Sequence, residues 1–266
     1  MISESFLNFG FKASWTKAHV AARAVAAAKH FFISLVIAVC ITIPLIVWLY
    51  PAPYFQAAGG LHLLGMVVLI DLVIGPALTF LVFDRSKKSL KNDLIAIGIM
   101  QIIALAYGLY VTAASRPVFI TYVVDRFEMV SAADVDPAEF VKAPTDLKLP
   151  RWGHPALAYA QQPDNIDERQ TIMFSSLEGV DLNRLFRYYK PADLAKPMIV
   201  QRAQTIAKLA QFNPPEKVAS LLKKYSNQPL AFVPVQGLKR DLTALVDSKT
   251  GQLIEVIDLR PWPATK

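Results

Sequence analysis

The fold of this chain is decided by the apolar run LHLLGMVVLIDLVIGPALTFLVF, residues 61–83. At 1.5 Å per residue, a helix of this length crosses the ~30 Å hydrocarbon core of a bilayer. The run nevertheless carries a carboxylate, Asp71, near its middle. A charge at that depth costs at least about 2.5–3.5 kcal/mol on insertion scales, so such a residue is retained for a partner inside the protein or for a task. Polar residues within the apolar segments are therefore the first place to look for function.

Two further stretches meet the same criterion of length and hydrophobicity. Residues 31–50 and 94–115 are predominantly apolar, and Trp48 and Tyr50 close the first of them with the aromatic side chains that favour a membrane interface. The sequence thus predicts a membrane region over residues 31–115 with three transmembrane helices, at 31–50, 61–83 and 94–115. A cleaved signal peptide is disfavoured for the first stretch, because such peptides have an apolar region of only ~7–15 residues.

Lysine and arginine residues orient these helices. Cations precede the first span and fill the connection DRSKKSLKND, residues 84–93, whereas the connection over residues 51–60 has none. The positive-inside rule then places the N-terminus and the connection 84–93 in the cytoplasm. Three crossings put residues 116–266 on the far side, which is the periplasm in a bacterial inner membrane. This segment of roughly 150 residues is long enough for a domain with its own core.

The composition agrees with this division. Hydrophobic residues make up 54% of the chain, and a mean hydropathy of +0.35 is too high for a soluble protein. The net charge of +7 arises mainly from the cytoplasmic segments, so it reports topology and not nucleic-acid binding. Residues 1–30 form a basic leader, for which an amphipathic helix in the lipid headgroups and a poorly ordered segment both remain open. The single cysteine, Cys40, excludes an intrachain disulfide.

Residues 116–266 are predicted to form a soluble α+β domain with a C-terminal β-hairpin. Residues 117–124 and 230–235 have the β-branched and aromatic composition of strands. Alternating apolar residues at 242–246 and 253–257, with Gly251 between them, predict the hairpin. Prolines break the segment 143–165 into a long loop. Helical spacing is found in residues 166–177, 182–189, 193–211 and 216–225, and Asp136-Pro137 begins a shorter helix.

The search for catalytic or metal-binding motifs finds none. The sequence lacks a phosphate-binding glycine loop, Gly-x-Ser-x-Gly, Cys-x-x-Cys and His-Glu-x-x-His. His19, His30, His62 and His154 fall in different compartments, so they are expected to be surface or interfacial residues and not joint ligands. We therefore expect no enzymatic activity, no cofactor, no metal and no small-molecule substrate.

The remaining polar residues form an intramembrane constellation. Asp71, Gly75 and Thr79 are spaced at i, i+4 and i+8 and lie on one helix face. Pro76 cannot donate to the Leu72 carbonyl, so a kink is expected, with a narrow stripe of small residues that permits close helix approach.

Depth along the predicted spans selects partners for the carboxyl group. Asp71, Tyr107 and Thr42 all lie about 17–19 Å from the cytoplasmic ends of their spans, so Tyr107 and Thr42 are expected to meet Asp71. Two interpretations remain open: a packing lock that satisfies a buried carboxyl, or a functional site that relays protons or ions or grips a polar feature of another membrane helix.

Several motifs along the chain resemble one known family, the type IV pilin accessory proteins (TfpX/TfpZ type). They are Tyr50-Pro51-Ala52-Pro53, the run from Asp71 through Gly75-Pro76 to Thr79, Arg116-Pro117-Val118, and Asp125-Arg126-Phe127. The resemblance extends from about Lys29 to Trp262. It implies a non-enzymatic protein of the bacterial inner membrane that assists a type IV pilin, as a chaperone or assembly modulator.

We expect the protein to contact the lipid bilayer and, from this resemblance, to bind the pilin through two surfaces. The first is the membrane stripe of Gly75 and Thr79. The second is on the periplasmic domain, with Asp125, Arg126, Phe127, Trp152 and Tyr159 as candidate contacts. A membrane sensor that binds a periplasmic ligand is an alternative, although we expect no cytoplasmic output domain. A proton-coupled transporter is disfavoured by three spans and one acid.

The predicted topology has a direct test. A reporter enzyme that is active only outside the cytoplasm is expected to function when fused after Gly60 or Lys266, and to fail when fused after Lys88. Reporter activity measured at Lys88 would reverse the orientation argued from the lysine and arginine residues.

Overall fold

The computed structural model describes residues 16–226 and 228–263. The chain divides into two compact units. The first unit, here called the helical unit, comprises Met1–Ile41 and Gly65–Gly108. The second, the sheet unit, comprises Thr42–Leu64 and Leu109–Lys266. Residues 1–15 of the predicted leader lie outside the described residues.

Three long apolar helices correspond to the predicted spans. Helix α1 is Lys17–Leu49 and α5 is Leu90–Ala114. Between them, α3 (Gly60–Leu69) continues through a π-helical turn, Ile70–Ile74, into α4 (Gly75–Val82). By length and composition each of the three could cross a membrane. Helix α1 begins well before the predicted residue 31, so the described part of the leader is helical, and its 33 residues extend over about 50 Å.

The sheet unit contains an eight-stranded mixed sheet, as the predicted α+β class requires. Strands β1 to β8 are Pro117–Val123, Arg126–Ser131, Ala156–Ala160, Tyr189–Lys190, Gln204–Thr205, Leu230–Gln236, Leu242–Asp247 and Leu253–Ile257. Their order is β4-β3-β1-β2-β6-β7-β8, and β5 pairs with β6. The β1–β3 and β2–β6 pairs are parallel, whereas β7 and β8 pair antiparallel on either side of Gly251, whose φ is 71°.

Short helices surround the sheet. They are α2 (Tyr54–Ala57), α6 (Pro137–Phe140), α7 (Ile166–Leu177), α8 (Lys196–Arg202) and α9 (Pro215–Lys224). The side chains of Asp136 and Asn165 accept hydrogen bonds from the second backbone N–H of α6 and of α7, respectively. These N-caps are the reason that both helices begin where the sequence predicts.

Three segments differ from the sequence prediction. The loop predicted over residues 143–165 contains the interior strand β3. Residues 182–189, predicted helical, form two 3₁₀ turns that lead into β4. The helix predicted over residues 193–211 is interrupted after α8, because extended backbone at Ala203 leads into β5. In each case pairing with a strand distant in sequence overrides the local pattern.

One face of the sheet is covered partly by the connection between the first two long helices. Leu49, Tyr50, Tyr54 and Ala57 are buried in the same hydrophobic cluster as Tyr122 and other strand residues. The Lys239 N–H donates to the Ala57 carbonyl at 2.9 Å, and the Tyr50 hydroxyl donates to the Thr112 carbonyl at 2.5 Å. Residues 42–64 and 109–115, which the sequence analysis assigned to the membrane region, are thus part of the sheet unit.

A glycine permits this close packing and gives a test of it. A Cβ atom on Gly237 would lie 2.1 Å from the Arg240 carbonyl oxygen and 3.2 Å from the Ala57 Cβ. Gly237→Ala is therefore expected to reduce the free energy of unfolding by about 1–3 kcal/mol through overpacking. Thermal unfolding of the detergent-solubilised protein measures this loss. Gly65→Ala is the control, since no atom lies within 4 Å of its added Cβ, and an equal loss there would contradict the argument.

Candidate functional site

The polar site of the helical unit begins with a defect in the backbone hydrogen bonding. The Gly75 N–H donates to the Ile70 carbonyl, five residues back, and so closes the π-helical turn. In an α-helix that N–H would have served the Asp71 carbonyl. The next residue, Pro76, has no N–H to replace it. The kink predicted from Pro76 therefore takes the form of a π turn, and the Asp71 carbonyl has no donor within its own helix.

A side chain from α5 supplies the missing donor. Gln101 Nε2 donates to the Asp71 carbonyl oxygen at 3.2 Å. The approach depends on Gly75, because a Cβ at that position would lie 2.1 Å from Gln101 Nε2. Gly75, Pro76 and Thr79 are all buried. The predicted stripe of small residues exists, but it accommodates Gln101 and is not free for the helix of a partner protein.

His30 on α1 connects this amide to Thr79. Its Nε2 lies 2.5 Å from Gln101 Oε1, and its Nδ1 lies 2.5 Å from Thr79 Oγ1. Since the Gln101 amide group donates to Asp71, its Oε1 is the acceptor, and His30 Nε2 therefore carries a proton. With its proton on Nε2, His30 accepts a hydrogen bond from the Thr79 hydroxyl at Nδ1. His30, which the sequence analysis expected to be a surface or interfacial residue, is half-buried and connects two other helices.

The carboxyl group of Asp71 takes no part in these bonds. Asp71 is only 5% exposed, and its Oδ1 has no hydrogen-bond partner among residues 16–226 and 228–263. Tyr107, which was expected to meet this carboxyl, is 68% exposed, and Thr42 belongs to the sheet unit. The sequence reasoning thus missed His30 and Gln101. The available signal was the one uncharged amide side chain within residues 94–115.

The contact residues predicted on the sheet unit fall into two groups. Phe127 and Tyr159 are buried in the hydrophobic core, so they do not offer a surface to a partner. Asp125 and Arg126 lie at the turn between β1 and β2, where Arg126 Nε is 3.0 Å from Asp125 Oδ1. Trp152 is 67% exposed and lies in the loop before β3. The surface part of the prediction is therefore Asp125, Arg126 and Trp152.

A cleft of about 590 Å³ opens beside the β1–β2 turn. It lies between β2, α7 and the 3₁₀ turn of residues 182–184. Arg126, Glu128, Arg169 and Asp181 contribute charges of both signs to its lining. Burial raises the pKa of Glu128, an effect that the nearby Arg126 partly offsets. Within the described ranges, no group of His, Cys, Asp and Glu side chains is arranged to hold a metal ion.

Comparison with known proteins identifies relatives of the chain. It is 31% identical over 158 residues to a fimbrial assembly protein, serogroup I, of Dichelobacter nodosus, an alignment that covers 58% of this chain and 60% of the relative. The serogroup E1 protein is 30% identical over the same shares. The protein of serogroups C1 and C2 is 32% identical over 110 residues, which are 82% of its length. The chain belongs to the fimbrial assembly protein family.

This fimbrial assembly family confirms the resemblance to type IV pilin accessory proteins read from the sequence motifs. The chain spans about 60% of the length of the serogroup I and E1 proteins. No protein-family model matches this member of the family, and no solved structure matches it.

The dependence of Gln101 on Gly75 can be measured by a double-mutant cycle. Gly75→Ala is expected to reduce the free energy of unfolding by about 1–3 kcal/mol, because the new methyl group displaces the Gln101 amide from the Asp71 carbonyl. In a Gln101→Ala background the same change should cost less than about 0.5 kcal/mol, since the three atoms nearest to the new methyl group are then absent. Unfolding of the four detergent-solubilised proteins tests this coupling. Equal losses in both backgrounds would contradict it.

Proposed function

We propose that this protein is a non-enzymatic accessory factor or chaperone that assists a type IV pilin during pilus assembly. The observation that carries the proposal is its similarity to proteins named fimbrial assembly proteins. The arrangement of the helical unit supports it. His30, Gln101 and Thr79 use their hydrogen bonds to hold three helices together. Thr79 lies beside His30, and its side chain, which is 3% exposed, contributes to this contact between helices.

We place the protein in the bacterial inner membrane, with a cytoplasmic N-terminus and a periplasmic sheet unit. Three helices of suitable length and the distribution of lysine and arginine support this orientation. Independent support comes from the sheet unit, which contains the connection 51–60 as well as the residues after 115. Both segments must then lie on the same side of the membrane, as three crossings require.

A second candidate is a membrane protein that binds a small periplasmic ligand. The cleft between β2 and α7 favours it, since Glu128 and Arg126 place opposite charges beside a cavity of about 590 Å³. A ligand of this kind is expected to protect the sheet unit against thermal unfolding. The pilin accessory function is preferred because the relatives named fimbrial assembly proteins support it directly.

Deletion of the gene in its own host tests the proposed function. We expect loss of surface pili and a lower amount of pilin in the inner membrane, because an unassisted pilin is degraded or fails to assemble. Electron microscopy counts pili, and immunoblotting measures pilin. Complementation with the wild-type gene should restore both, and the Gly75→Ala variant should restore them only in part. Normal piliation and normal pilin levels in the deletion strain would refute the proposal.

A further inference from the structure

A groove of about 210 Å³ lies on the helical unit between α1 and α5, with Asp71 among its lining residues. We call it the α1–α5 groove. On α1 the wall has two apolar residues, Ile33 and Ile37, together with His30 and Ser34. On α5 it has Gly98, Ile102 and Leu105, together with Gln101. Gly75 and Thr79 do not line it, whereas His30 and Gln101, which bond to Thr79 and to the Asp71 carbonyl, lie at its edge. Asp71 Oδ1 has no hydrogen-bond partner within residues 16–226 and 228–263.

The shape of the groove fits another helix. On α5, Gly98, Ile102 and Leu105 are spaced at i, i+4 and i+7, so the wall follows one helix face for about two turns, or ~10 Å. Gly98 leaves the groove open, because no atom lies within 4 Å of the position where its Cβ would be. Ile33 and Ile102 are exposed. Exposed apolar ridges beside a glycine are typical of surfaces on which membrane helices pack closely.

The chemistry of the groove selects the kind of helix. Asp71 lies in the groove with a buried carboxyl oxygen that has no hydrogen-bond partner in the described part of the chain. In hydrocarbon an unmet polar group is costly, and a donor that reaches it is stabilising. A lipid chain fills the apolar walls but donates nothing. An apolar helix that carries one donor group meets both requirements, since its own backbone is satisfied internally.

We propose that the pilus subunit has an apolar membrane helix that the α1–α5 groove receives, and that Asp71 accepts a hydrogen bond from a polar group of that helix. The inference rests on the proposed function, which supplies the partner. It assigns the carboxyl group to recognition, whereas the backbone carbonyl of the same residue serves the fold through Gln101.

Because the backbone carbonyl and the carboxyl group of Asp71 have separate roles, their contributions can be separated by mutation. Asp71→Leu removes the carboxyl but leaves the backbone contact with Gln101, so the folded protein should be at least as stable as the wild type. Capture of the subunit should weaken by about 3- to 20-fold, the equivalent of one hydrogen bond in a membrane. Asp71→Asn retains an acceptor oxygen and should retain capture. A carboxyl with a purely structural role would instead make Asp71→Leu less stable.

Photocrosslinking in cells that make the cognate pilus subunit tests the groove. A photoreactive amino acid is placed at Ile102, and Ile103 serves as the matched control. The two residues are of one type and are 68% and 64% exposed, but they point about 100° apart on α5. We expect adducts with the membrane helix of the subunit from Ile102, few from Ile103, and a fall at Ile102 when Asp71→Leu is introduced at unchanged protein abundance.

The other outcomes overturn the inference in separable ways. Equal adducts from both positions, or none from either, would remove the groove as the binding face. Adducts with a second copy of this chain or with lipid alone would replace the proposed occupant. Ile102 adducts that are insensitive to Asp71→Leu, or a loss of protein in that variant, would remove the role of the carboxyl. If deletion of the gene abolishes piliation while Ile102 yields nothing, only the groove proposal fails; unchanged piliation on deletion refutes the accessory function itself.

Discussion

The missing N–H of Pro76 is the constraint on which the helical unit depends. Because the Gly75 N–H is used by Ile70, the Asp71 carbonyl would be left without a donor inside an apolar helix. Gln101 reaches it from α5, and the remaining oxygen of that amide requires a donor in turn, which His30 supplies from α1. The absence of an N–H group at Pro76 thus helps to determine which faces of the three helices contact each other. Apolar packing alone distinguishes poorly between the faces of helices in lipid.

Part of this site can be read from the sequence, and the limit has a physical cause. The stripe of Asp71, Gly75 and Thr79 lies within one helix, where residue spacing fixes the relative direction of side chains. Partners on other helices are a different problem. Counting residues from a membrane boundary gives depth but not rotation about the helix axis, so Tyr107 was placed at a suitable depth and yet is exposed. Gln101 lies less than two helical turns from Tyr107 on α5, on the face that contacts Asp71.

In the sheet unit as well, the elements that depend on local sequence were predicted, and a strand that depends on distant pairing was not. Caps and short-range periodicity were sufficient for α7 and α9, and β-branched composition for β1 and β6. Strand β3 was missed because it exists through parallel pairing with β1, across more than thirty residues of chain. The motif Asp125-Arg126-Phe127 also changes meaning in the structure. Its first two residues form the turn, whereas Phe127 packs against Tyr122 in the core, so the motif combines surface and packing requirements.

The burial of Leu49, Tyr50, Tyr54 and Ala57 in the sheet core constrains the order of biogenesis. These residues are synthesised early, yet the Ala57 carbonyl accepts its hydrogen bond from Lys239, near the end of the chain. During translation the connection therefore remains unpaired while two more apolar segments and most of the sheet are produced, and closing so long a loop is slow. An excised fragment that begins at residue 116 would lack these side chains, so its sheet would expose an apolar face and aggregate.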